Sequence, residues 1–295
     1  MMASTPSPAS STRYTELQLN SAAFDRPRCP IEAKLFICAT GRTGSWFLCR
    51  ALIHNGIGVP HEYFSARHIP AIARRCGIEA LPDDQRWRSD SQARGLYIAA
   101  LLERRTVNGI FASKIHWSQF VTHLNNREGI ELLRGGRFIY LYREDLLAQT
   151  LSFHVAMETG RWGFDSTAMT PPAAAPRFFD AKLIAERMRY LAEANENWRL
   201  FFASNGLSPL FLSYEGVRKD IAGTLRSIVE RFQLRVPATS LDYVEDGPEE
   251  NRDAGVPPRA AIRAHFLEAY RFVGTAGPVD PAKTAADADN AGSRS

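Results

Sequence analysis

The stretch Thr40-Gly41-Arg42-Thr43-Gly44-Ser45-Trp46-Phe47-Leu48 follows a short apolar run, residues 35–39, and opens onto an apolar segment, residues 45–55. A strand enters a glycine-bearing turn and a helix leaves it. That is the setting of an anion-binding loop, in which backbone N–H groups and a helix N-terminus face a phosphate. It is not the loop of nucleotide hydrolases, G-x-x-x-x-G-K-[ST]. No lysine follows Gly44, and the nearby charge, Arg42, precedes it. Gly44 lets backbone approach an anion closely. Thr43 and Ser45 add hydroxyl donors, with Ser45 suited to cap the helix. Arg42 adds a forked cationic donor.

A second pattern follows another apolar run, residues 137–142: Arg143-Glu144-Asp145, then Gln149 and Ser152 in the next helix. An arginine at the carboxyl end of a strand and a serine nine residues on can converge on one phosphate, the arginine by charge-assisted bonds. Taken alone, each pattern also fits an ordinary structural element. The first could be a plain strand–turn–helix with Arg42 in solvent. The second could be a surface ion pair between Arg143 and Asp145, which is worth little. Their order, each after a strand, favours one divided anion site.

Strand candidates are residues 35–39, 110–115, 137–142 and 209–214, and helix candidates are 45–55, 92–108, 146–159, 182–205 and 220–232. Strands alternating with helices predict an α/β fold, a P-loop-like central parallel sheet with helices on both faces. Ligands bind such sheets outside the carboxyl ends of the strands. Residues 1–30 read as a loose leader, 31–275 as the folded domain, and 276–295, dominated by small and polar residues, as a disordered tail.

The order Arg42-Thr43-Gly44-Ser45, with the Arg143/Ser152 element, resembles sulfotransferases, which bind the 5′-phosphosulfate and 3′-phosphate of 3′-phosphoadenosine 5′-phosphosulfate (PAPS) with such elements. Further stretches are similar to the bacterial trehalose 2-sulfotransferase family: Ser152-Phe153 with Ala156, Thr159 and Trp162; Gly58-x-Pro60-x-Glu62-x-Phe64; and Lys114-x-x-Trp117-x-Gln119. Tyr214-Glu215 also resembles a sulfotransferase segment. The likeness spans about residues 34–234 and does not extend through residues 241–273.

The resemblance implies a PAPS-dependent sulfotransferase acting on a carbohydrate or glycolipid hydroxyl. Arg42, Thr43, Gly44, Ser45 and Trp46 would hold the 5′ end of PAPS, and Arg143 and Ser152 the 3′-phosphate. Glu62 would be the general base, and Lys114 would stabilise the departing phosphate. His116 leaves an alternative open, because Lys114-Ile115-His116 matches the K-x-H spacing of eukaryotic cytosolic sulfotransferases, whose histidine is the base. Alternate strand residues share a face, so both side chains can reach the site. Trp117 and Trp162 read either as platforms for a sugar or as core aromatics.

Composition is consistent with this. The net charge of +4 and the lack of a dense basic run do not suit a polynucleotide, so no nucleic acid partner is expected. Cys29, Cys38, Cys49 and Cys76 form no C-x-x-C pair, so no zinc site or disulfide framework is expected. Nothing resembles a signal peptide, and no apolar stretch approaches the ~18 residues of a membrane span, which suggests a cytoplasmic enzyme. No bound metal is expected, and a homodimer is the assembly entertained. The competing functions are a P-loop nucleotide kinase or hydrolase, and a catalytically inactive carbohydrate-binding relative.

Overall fold

The side chains of the central strands alternate between two apolar layers, and this alternation builds the molecule. In the computed structural model, which describes residues 16–78, 84–162, 175–236, 241–244 and 255–270, five strands form one sheet. They are β1 (Ala33–Ala39), β2 (Thr106–Val107), β3 (Ile110–His116), β4 (Arg137–Tyr142) and β5 (Leu210–Ser213), in the order β2-β3-β1-β4-β5. β3, β1, β4 and β5 run parallel, and β2 is an antiparallel edge.

The helices are α1 (Glu16–Asn20), α2 (Ser45–His54), α3 (Ile69–Arg75), α4 (Asp84–Ser89), α5 (Ser91–Arg104), α6 (Trp117–Gln119), α7 (Arg127–Leu133), α8 (Leu146–Thr159), α9 (Ala181–Ser204), α10 (Tyr214–Lys219), α11 (Ile221–Phe232) and α12 (Arg259–Ala269). Leu35, Ile37 and Ala39 of β1 face Leu48 and Leu52 of α2 and Leu225 and Ile228 of α11. Phe36 and Cys38 face the other layer, with Trp87, Tyr97, Trp198 and Phe202 from α4, α5 and α9. Both faces are therefore covered, as a parallel sheet requires. Asp90, Asp145, Asp180 and Asp220 cap the N-termini of α5, α8, α9 and α11.

β1 lies between β3 and β4, so the chain crosses over it between those strands. Ala39, at its carboxyl end, is level with His116 on one side and Leu141 on the other. The loops after β1, β3, β4 and β5 thus share one rim, where a doubly wound sheet opens its ligand crevice.

Several expectations need correction. Residues 16–30 are not a loose leader: α1 and a 3₁₀ turn at Ala22–Phe24 bury Leu19 and Phe24. Residues 1–15 and the tail at 276–295 lie outside the described residues. The helix expected over 92–108 ends at Arg104, because Asn108 and Gly109, both at positive φ, turn the chain into the β2–β3 hairpin. The last strand stops at Ser213, whose hydroxyl caps α10, so Tyr214 is helical. Ser45 is the first helical residue of α2, and Gly44, left-handed at φ 72°, occupies the cap position.

Candidate active site

The loop after β1 is held from behind. The Gln149 side-chain amide, fully buried on α8, donates to the Thr40 hydroxyl at 2.8 Å and the Gly41 carbonyl at 2.7 Å. Thr40 in turn donates to Asn195 Oδ1 on α9 at 3.0 Å. The Thr43 hydroxyl donates inside the turn to the Thr40 carbonyl, 3.1 Å away. Arg42 (φ 67°) and Gly44 (φ 72°) both have positive φ, the backbone geometry from which anion-binding nests are built. A Cβ on Gly44 would lie 2.3 Å from the Tyr214 ring, so glycine is required there on steric as well as conformational grounds.

The two anion motifs meet. Arg42 Nε donates to Ser152 Oγ at 2.9 Å, and its Nη1 donates to the Trp162 carbonyl at 2.5 Å. Arg143 does not pair with Asp145. Its guanidinium lies 4.7 Å from the centroid of the Tyr214 ring, with Nε 3.7 Å from Glu215 Oε1, while Asp145 pairs with Arg263 on α12 at 3.3 Å. Arg143 Nε is buried and has no hydrogen-bond partner among the described residues. Buried polar groups are normally satisfied, so this donor is suited to an anion.

Glu62 and Lys114 form the centre. Gly58, at φ 71°, lets the loop lie against β3: a Cβ there would come within 2.6 Å of Ala112. The backbone N–H of Lys114 then donates to the His61 carbonyl at 3.0 Å, which brings Glu62 beside β3. Lys114 Nζ lies 2.5 Å from Glu62 Oε1 and 4.4 Å from the centroid of the Trp46 ring. Gln119 Nε2 donates to Glu62 Oε2 at 2.5 Å, and His116 Nδ1 stands 4.0 Å from the same oxygen. Burial alone would raise the Glu62 carboxyl, but the Lys114 ammonium, followed by His116, outweighs it and holds it well below the usual carboxylate range. Burial lowers the His116 imidazole from its ordinary value.

His116 Nε2, also without a hydrogen-bond partner among the described residues, belongs to a residue that lines a cleft of about 180 Å³. The cleft is also lined by Trp117, Phe153, Trp162 and Tyr190, and by Thr40 and Gly41. Trp117 lines the cleft and packs against Trp198 and Phe120. Sequence reasoning missed Asn195 and Tyr190, since neither lies in a motif.

A family model for Stf0 sulphotransferases matches residues 34–242. The chain belongs to the Stf0 sulphotransferase family. Its relatives include a trehalose 2-sulfotransferase of Mycobacterium tuberculosis (strain ATCC 35801 / TMC 107 / Erdman), 24% identical over 230 residues that cover 66% of this chain and 82% of the relative. Another, from Mycolicibacterium smegmatis (strain ATCC 700084 / mc(2)155), is 23% identical over 229 residues with the same coverage. In this Stf0 sulphotransferase the matched span contains every expected site residue, from Arg42 to Ser152. Among the described residues no group of three or more His, Cys, Asp or Glu is placed to hold a metal ion, and no helix is long and apolar enough to cross a membrane.

Proposed function

We propose that the protein transfers a sulfuryl group from PAPS to a carbohydrate hydroxyl, with trehalose, the sugar in its relatives' names, as the first acceptor to try. The observation that carries the reading is the Glu62–Lys114 contact at 2.5 Å beside a glycine loop whose charge is Arg42. A carboxylate and an ammonium so joined can divide the two charges that sulfuryl transfer creates: a proton leaving the acceptor and an electron pair arriving on the donor's phosphate.

The residues fit the donor. The Gly44 nest and Arg42 suit its 5′ end, and the unpartnered Arg143 Nε suits a second phosphate. PAPS supplies the activated sulfuryl group. As the acceptor oxygen bonds to sulfur, Glu62 takes the hydroxyl proton, and Lys114 and Arg42 hold the charge left when the sulfur–oxygen bond to phosphate breaks. Lys114 must first exchange Glu62 for the phosphate, which leaves the carboxylate more basic when it is needed. The aromatic cleft beside His116 offers the apolar faces on which a sugar ring stacks.

A second reading makes His116 the base. It is favoured by His116 Nε2, which has no hydrogen-bond partner among the described residues and belongs to a cleft-lining residue, whereas both Glu62 oxygens are already engaged. Thermal shift tests the function itself. Adenosine 3′,5′-bisphosphate should stabilise the protein without metal, and radiolabelled PAPS should label trehalose or another bacterial sugar or glycolipid in excess EDTA. Stabilisation by ATP with magnesium alone would restore a nucleotide kinase or hydrolase. Bisphosphate binding with no transfer to any acceptor would mark an inactive relative.

A further inference from the structure

Residues 16–33 lie outside the span that the family model matches, yet part of this segment reaches the back of the active site. Asn20, at the end of α1, sits between two buried imidazoles. His61 Nε2–H donates to Asn20 Oδ1 at 2.9 Å, and Asn20 Nδ2 donates to His68 Nδ1 at 2.9 Å. The two rings are 4.5 Å apart, with His61 fully buried and His68 almost so. His61 immediately precedes Glu62, and its carbonyl accepts the Lys114 N–H. Its ring also packs against Trp46, the aromatic over which Lys114 rests.

The segment is fastened on both sides of Asn20. Leu19 and Phe24 pack with Val59, Trp46 and Ile53. Asp25 pairs with Arg75 and, at 3.1 Å, with fully buried Arg105, whose Nη2 donates to the Ser21 carbonyl at 2.8 Å. Arg75 Nε donates to the Asn20 carbonyl at 3.1 Å. Three arginines, Arg75, Arg104 and Arg105, converge on the single Asp25 carboxylate.

We infer that Asn20 is a positioning residue for sulfuryl transfer, fixing the His61–Glu62 loop so that Glu62 meets Lys114. An amide suits this place because it accepts from one imidazole and donates to the other. It can donate to His68 Nδ1 only while that nitrogen carries no proton, so it favours neutral His68. Burial does the same, lowering His61 well below its ordinary value and His68 to about 4. The charges facing the pair are Glu62, Lys114, Arg105 and Arg67, and a further positive charge there would compete with Lys114 for Glu62.

The inference rests on the sulfotransfer reading for its kinetic arm and has a second arm that does not. In Asn20→Ala, kcat should fall roughly tenfold, the worth of a buried hydrogen bond lost from the transition state, with adenosine 3′,5′-bisphosphate affinity unchanged. Asn20→Asp keeps the acceptor for His61 and loses the donor for His68, so its kcat should lie between the two. A strap that only stabilises the fold would lower melting temperature and leave the kcat of folded enzyme alone. Wild-type kcat in the folded variants, or losses that follow bisphosphate affinity, would overturn the inference; if Asn20→Ala does not fold, Asn20→Asp decides. Should the unaltered protein transfer no sulfate, the reading of function falls by itself. The carboxyl titration of Glu62 by carbon NMR then decides: it should move upward in the uncharged variant Asn20→Ala as the Lys114 contact loosens, and an unmoved titration would refute positioning.

Discussion

Arg42 donates from Nε to the hydroxyl of Ser152 at 2.9 Å, joining two motifs that lie 110 residues apart in the chain. The arginine of the first anion loop is thereby oriented by the serine of the second. Arg42→Ala should weaken bisphosphate binding and lower turnover, Ser152→Ala should do so less, and the double variant should lose less than the sum. A coupling of ~1 kcal/mol is expected for two groups in direct contact. Additive losses in a calorimetric double-mutant cycle would show that the two side chains act separately. Arg42→Lys should rescue only in part, since an ammonium cannot serve Ser152 and the Trp162 carbonyl in a planar fork.

Arg143 Nε lacks a hydrogen-bond partner among the described residues and stands ready for an anion. Adenosine 3′,5′-bisphosphate should therefore bind on the order of ten- to a hundredfold more tightly than AMP, the worth of a charged hydrogen-bond partner. Arg143→Ala should erase most of that preference. Equal calorimetric affinities of the two nucleotides for the unaltered protein would remove Arg143 from the site.

The choice of base is decided by a pair of variants. Glu62→Gln should lose transfer by roughly 10²–10⁴-fold, the usual worth of a general base, while binding bisphosphate as well as before or better, since Lys114 no longer has a carboxylate to leave. His116→Ala should cost appreciably less; the reverse order of losses would make His116 the base. The pH profile supports the comparison. Lys114 holds Glu62 below the usual carboxylate range, so the acid limb of kcat/KM, which reports the free enzyme, should lie below about 4.3. The acid limb of kcat should lie higher, because the donor has by then drawn Lys114 away.

Four histidines, buried His61, His68 and His154 and half-buried His116, are lowered from their ordinary value, in each case first by desolvation. A lowered folded-state value means that the unfolded chain takes up protons first as pH falls. Stability is therefore full above the unfolded value of 6.5 and declines toward the His68 value of about 4. The melting temperature should drop through that window by on the order of 5 °C or more. His154→Gln should flatten part of the decline, and a melting temperature independent of pH between those limits would refute the assignment.

The parallel strands were legible in sequence because each is a short apolar run with a site residue at its end. Residues 137–142 matched β4, and residues 35–39 and 110–115 gave all but the ends of β1 and β3. The β2 hairpin was overlooked although Asn108-Gly109 is a turn signal, because the helical pattern before it was extended too far. Glu62, Lys114 and His116 were named from motifs, and their mutual contact rests on the bond from the Lys114 N–H to the His61 carbonyl, which lays the Glu62 loop against β3. Asn20, Asn195 and Arg263 could not be read in advance. Their partners lie 41, 155 and 118 residues away, and nothing local in the chain sets those pairings.

The ring of Tyr214 touches the glycine loop on one side and carries the Arg143 guanidinium on the other. It is a flat spacer between the glycine loop and Arg143, the two places proposed to receive negative charge. A flat, incompressible plate in that position acts as a calliper, setting the gap between the two cationic jaws to a fixed span. On the function proposed above, a donor whose charged ends stand closer together or farther apart would satisfy one jaw but not both, so donor length would be selected before any base is recognised.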